Sequence, residues 1–126
     1  MKPKSLLTVL TLLVTASLLL AACSASGPDD PQFPTGKFVD ASDQYVGYTF
    51  KDGKTWQYFT YGEIGAEGTF KVKGSQWINN GDEECPFPAT YEWSFDGTNL
   101  TFKLVGEDQC DPRRESTDGK TFVLTN

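Results

Sequence analysis

The chain has 126 residues, 38% hydrophobic and 13% aromatic, with 11 Lys and Arg against 17 Asp and Glu and no histidine. That length holds one small domain and no second. A net charge of −6 repels phosphate backbones and anionic headgroups, which excludes nucleic acid and electrostatic membrane docking, and the missing histidine removes the usual general base near neutral pH, the triad partner and the commonest metal ligand.

Met1 to Lys4 carries two lysines, Leu6 to Leu20 is almost wholly apolar, and Leu20-Ala21-Ala22 leads into Cys23. A charged start, an apolar core and small residues before a cut make the plan of a secretory signal. The cysteine adds specificity: the segment resembles the bacterial lipoprotein signal, in which the thiol is diacylated, with palmitate-type chains, and the peptide is cut just before it. The resemblance implies a signal over residues 1–22 and a lipidated N-terminus at Cys23. A membrane-spanning helix fits less well, since a span needs about 20 apolar residues and this core has roughly 15. Removing Lys2 and Lys4 leaves nine basic residues against 17 acidic ones, a net charge of −8. Attachment then comes from the lipid, and two acyl chains pass the threshold for stable anchoring.

Residues 23–34, from Cys23 through Ser24-Ala25-Ser26-Gly27-Pro28 to Pro34, read as a flexible tether, rich in Pro, Ser and Asp. From residue 35 to 126 the chain reads as short strands separated by turn chemistry, with no sustained 3.6-residue apolar period. Gly36 to Val39 supplies a first strand. Asp52-Gly53 between Tyr45–Phe50 and Thr55–Tyr61, and Asp96-Gly97 between Tyr91–Phe95 and Leu100–Val105, signal two hairpins. Gly74-Ser75 between Gly68–Lys73 and Gln76–Asn79 signals a third, and Thr121 to Leu124 is a last strand, for a count of about eight.

Alternation assigns faces. Phe70 and Val72 oppose Thr69, Lys71 and Lys73; Tyr91, Trp93 and Phe95 oppose Glu92 and Ser94; Leu100, Phe102 and Leu104 oppose Thr101 and Lys103; and Phe122 with Leu124 opposes Val123. An apolar face of this kind is buried by closing a barrel or by pairing two sheets. Thr55 to Tyr61 carries aromatic rings on both faces. With Cys23 assigned to lipid, Cys85 and Cys110 remain in a compartment that permits disulfides and are expected to pair. The closed loop would add about 3 kcal/mol.

Glu67-Gly68-Thr69-Phe70-Lys71-Val72, Cys85-Pro86, Tyr91-Glu92-Trp93-Ser94-Phe95-Asp96-Gly97 with Leu100-Thr101-Phe102, and Asp108-Gln109-Cys110 with Arg113-Arg114 resemble the pattern of small secreted bacterial lipocalin-like (calycin-type) proteins over residues 36–126. The resemblance implies an all-β, up-and-down antiparallel barrel of about eight strands whose interior can hold a small apolar ligand. Where lipocalins carry Gly-x-Trp on the first strand, this chain has Gly36-Lys37-Phe38, and Arg113 or Arg114 could supply the late arginine, either as a surface charge or stacked over Phe38 or a tryptophan.

For a ligand site, Trp56, Tyr58, Trp77, Tyr91 and Trp93 are the candidate lining, with Arg114 beside them. The same rings could instead fill the core. Asp82-Glu83-Glu84 and Glu107-Asp108 with Asp111 form acidic loops beside the two cysteines and read as solvated charge, with no spaced calcium-loop pattern. The sequence supports no enzyme, cofactor or metal. Two functions follow: an envelope-anchored lipocalin-like monomer that holds a small hydrophobic molecule in its barrel, or a structural or interaction module of the envelope with a filled core.

Overall fold

Period-two patterning and turns that demand positive φ dictate the architecture, and the computed structural model describes it for residues 32–125. Cys23, the signal segment and most of the expected tether lie outside the described residues. The strands are β1 (Gly36–Asp40), β2 (Asp43–Lys51), β3 (Thr55–Thr60), β4 (Glu63–Lys73), β5 (Gln76–Asn79), β6 (Ala89–Phe95), β7 (Asn99–Val105) and β8 (Thr121–Thr125), with one helix, α1 (Asp111–Thr117), between the last two strands. Each strand pairs antiparallel with the next, and β8 returns to β1 through Phe38 opposite Leu124, which closes the barrel. This is the up-and-down eight-stranded architecture used by lipocalins, so the expected fold class holds. Of the two ways to bury the apolar face, closure is the one taken, and each described strand has a paired neighbour on both sides.

The Asp52-Gly53 turn has φ of 56° and 65° at its two central residues, the left-handed pair a two-residue hairpin requires. A second turn of that kind, Tyr61-Gly62 at 49° and 86°, was not expected from the sequence, and it lets β4 begin at Glu63 rather than Gly68. Gly47 serves close packing instead: a Cβ there would overlap the carbonyl oxygen of Phe38 on β1.

Inside the barrel the expected faces are buried. Phe38, Trp77, Tyr91, Leu100 and Phe122 are fully inaccessible, with Tyr48, Phe50, Trp56, Phe70, Trp93 and Phe102 close behind. Trp77 is the hub, within 6.3 Å centroid to centroid of Phe33, Tyr48, Phe50, Phe70, Tyr91 and Phe102. The ambiguous strand β3 resolves by the same rule. Trp56 and Tyr58 point inward while Phe59 lies outside, where the Lys37 ammonium sits 4.8 Å from its ring centre.

The two ends of the barrel differ. At the end where β1 begins, Phe33 enters the interior and meets Phe50, Phe70 and Trp93 at 4.9, 5.1 and 5.0 Å. The last residues of the expected tether are therefore part of the packing, and Phe33 plugs this end. At the opposite end lie the 61–62 turn, the loop of residues 80–88, and α1. Cys85 in that loop is bonded to Cys110 at the N-terminus of α1, with their Cα atoms 5.7 Å apart. A disulfide is compatible with an extracytoplasmic setting.

Candidate functional site

Helix α1 was not expected, and its side chains build the end it covers. Pro112 in the first turn suits a helix start, where an N–H would lack a partner anyway. Cys110 holds the N-cap position, fixed by the disulfide and by its N–H, which donates to Asp108 Oδ1 at 2.9 Å. Seven residues turn two inward at a spacing of four, Arg113 and Thr117, both buried.

Arg113 is 5% exposed. Its Nε donates to Asp108 Oδ2 at 2.8 Å and its Nη2 to Asp108 Oδ1 at 2.7 Å, a two-pronged pair. Nη1 reaches Asn79 Oδ1 at 3.3 Å, and Tyr91 donates its hydroxyl to Asp108 Oδ2. Beside this network Tyr48 Oη and Thr117 Oγ1 share a hydrogen bond at 2.6 Å. Burial pushes the Asp108 carboxyl up, but the Arg113 guanidinium, the Tyr91 hydroxyl and the Cys110 N–H outweigh it, and the net shift is downward. Burial pushes the Tyr91 hydroxyl up, and its bond to Asp108 adds to the rise; burial also raises Tyr48. Both phenols are therefore neutral across the physiological range, and Tyr91 donates to Asp108.

These contacts correct two expectations. Asp108 is not solvated loop charge but a buried carboxylate, because Arg113 and Tyr91 supply what water would. Arg113 is neither a surface charge nor stacked on Phe38: it is the polar plug of the helix end. The neighbouring Arg114 points outward and pairs with Asp111 at 2.9 Å, both side chains well exposed.

Between α1, the 80–88 loop and the β3–β4 hairpin lies a pocket of about 550 Å³. Tyr48, Trp56 and Tyr58 form its floor, Phe87, Pro112 and the disulfide its wall, and Asp82, Glu84 and Asp111 its rim. The floor rings stand nearly perpendicular, Tyr48 to Tyr58 at 5.0 Å and 71° and Tyr48 to Trp56 at 5.9 Å and 74°. Tyr48 and Trp56 are almost fully buried beneath it, whereas Tyr58 is half-buried and Phe87 is 44% exposed. The volume falls in the range of small-molecule sites, roughly 300–1,000 Å³.

Of the candidate lining residues, the structure brings Trp56 and Tyr58 together at this pocket. Trp77 and Tyr91 lie beneath it in the core, and Trp93, its Nε1 donating to the Gly74 carbonyl at 3.1 Å, sits toward the opposite end. Arg114 lies on the far side of α1. Sequence reading missed Phe87 as a member of this end, and it named Asp82 only as solvated loop charge and Arg113 only as a surface charge or a ring-stacking arginine. The spacing Asp108-x-Cys110-x-x-Arg113 was the available signal for the last, since it sets an arginine one turn into a helix that the cysteine starts. Among the described residues no group of three or more acidic or cysteine side chains is arranged to hold a metal ion. No family model matches the chain, and no curated protein or solved structure matches it either.

Proposed function

We propose that this chain is a cell-envelope protein, held to the membrane by lipid on Cys23, whose barrel is a rigid frame for a small-molecule pocket at the helix end. The observation that carries the reading is the position of the pocket. The barrel centre is filled by Trp77 and its neighbouring rings, so a ligand is received not inside the barrel but above it, against Tyr58, Trp56 and Phe87. The supporting elements are stiff: a disulfide closes one wall and a buried ion pair pins the helix behind it. The reading is one of binding and asks for no general acid or base. It treats the protein as a monomer.

Titration of the full-length protein with the neutral apolar fluorophore N-phenyl-1-naphthylamine tests the pocket. Saturable binding is expected, reported also by Trp56 emission, and Tyr58→Ala should weaken it about tenfold, the worth of a well-packed ring at a partly open site (about 1.4 kcal/mol). An unchanged affinity in Tyr58→Ala would remove the pocket from the account. The filled centre also favours a second reading, an envelope module with no ligand, and absence of any saturable binding would select it.

The anchor has its own test. Cys23→Ser should release the protein from the membrane fraction into the soluble extracytoplasmic fraction, because the acyl chains have no other acceptor in the segment that resembles a lipoprotein signal. Tight membrane association of the Cys23→Ser protein would refute lipidation there.

A further inference from the structure

The charges around the helix-end pocket do not balance, and the imbalance specifies a ligand class. Four charged side chains line it: Asp82, Glu84, Asp111 and Arg113. Arg113 is cancelled by Asp108 in the buried pair, and Asp111 is paired with Arg114. Asp82 and Glu84 are left without a cationic partner among the described residues. No lysine lines the pocket, nor the smaller groove of about 220 Å³ that continues from it past Gly65 and Ala66 and adds Glu67 and Glu83 to the same side. The Asp82 carboxylate is held in place, since its Oδ1 accepts the backbone N–H of Glu84 at 2.8 Å and of Cys85 at 2.9 Å. The half-buried ring of Tyr58 lines the same pocket as these acids, together with Tyr48 and Trp56.

We propose that the pocket takes an organic cation, a small molecule with an apolar body seated against Tyr58 and Phe87 and an ammonium-type group between Tyr58 and the carboxylates of Asp82 and Glu84. The inference rests on the pocket reading above and adds the chemical class. A positive group gains from the carboxylates by direct attraction and from the Tyr58 ring through its quadrupole. A neutral molecule of the same shape keeps only the apolar contacts. An anion is opposed by the rim and by the acidic surface around it.

The test compares three probes with one body, 6-phenylhexyl-trimethylammonium, 6-phenylhexanol and 6-phenylhexanoate, titrated calorimetrically against the full-length protein in phosphatidylcholine nanodiscs, with empty nanodiscs as blank. The ammonium compound should bind roughly tenfold more tightly than the alcohol at low salt, with the carboxylate weakest. The gap should shrink at high salt, as expected for partly exposed charges, and in the Asp82→Asn/Glu84→Gln protein. Equal binding of ammonium and alcohol would overturn the charge assignment and leave the pocket standing. Failure of all three to bind would take down the pocket reading as well.

Discussion

Trp77→Ala should lose about 3–5 kcal/mol of stability, the usual cost of truncating a buried tryptophan. Trp77 is the largest fully buried side chain, and the cavity it leaves would be bordered by rings from β2, β4, β6 and β7 together with Phe33. A domain of this size has about 5–15 kcal/mol in all, so the variant should melt far below wild type or stay unfolded. Trp77→Phe separates packing from polarity. The indole Nε1 is buried without a hydrogen-bond partner among the described residues, and an unpaired buried donor costs about 1–3 kcal/mol. Phenylalanine removes that donor along with some volume, and its loss should be less than half that of alanine. Urea unfolding of both variants, followed by circular dichroism, gives the comparison. An alanine variant within 1 kcal/mol of wild type would mean that the barrel centre is not packed as described, and the case for a ligand outside it would fail too.

The parts legible in the sequence were those whose cause is local. Asp-Gly at 52–53 announces its turn because both residues adopt positive φ at little cost. Trp93 and Phe102 announce their burial because each alternates with polar neighbours. Tyr61 hides a turn of the same type, since tyrosine is not a turn former, and its ring is held outside against Tyr45 at 5.4 Å in a stacked pair. The first half of β4 has two glycines and exposed Glu63 and Ile64, so no apolar alternation marks it as strand. Helix α1 is seven residues long, below the window in which a 3.6-residue period can be counted. Phe33 sits among Pro, Gln and Asp, and only the open end of the barrel makes it a core residue. The candidate site suffers most from this. Its floor, Trp56 and Tyr58, comes from a strand whose span was legible although rings on both faces hid which of them point inward, whereas its walls come from a loop and a short helix whose meeting is fixed by the disulfide between Cys85 and Cys110 and by Asp108.

The buried network at the helix end should show itself most clearly when broken on one side. Asp108→Ala leaves the Arg113 guanidinium desolvated and uncompensated, and takes from Tyr91 the acceptor of its hydroxyl. Removing one partner of a buried ion pair costs about 3–5 kcal/mol, more than the pair itself contributes over an apolar replacement of similar volume. Asp108→Ala combined with Arg113→Met should therefore recover much of the loss. If the double variant is no more stable than Asp108→Ala, the penalty is not that of a stranded charge. The wild-type protein carries the same signature in its pH dependence. The folded-state pKa of Asp108 is depressed, so its contribution is present above the unfolded value of about 3.9 and is lost as pH falls through the folded one. Tyr91 is shifted upward, so its contribution is present below about pH 10 and is lost as the unfolded phenol ionises above it. Stability should hold level between these limbs. In Asp108→Ala the acid limb should flatten but not vanish, because the backbone N–H groups of Asn99 and Thr98 hold Asp96 below the usual carboxylate range as well, and an acid limb of unchanged steepness would assign the acid sensitivity to groups other than Asp108.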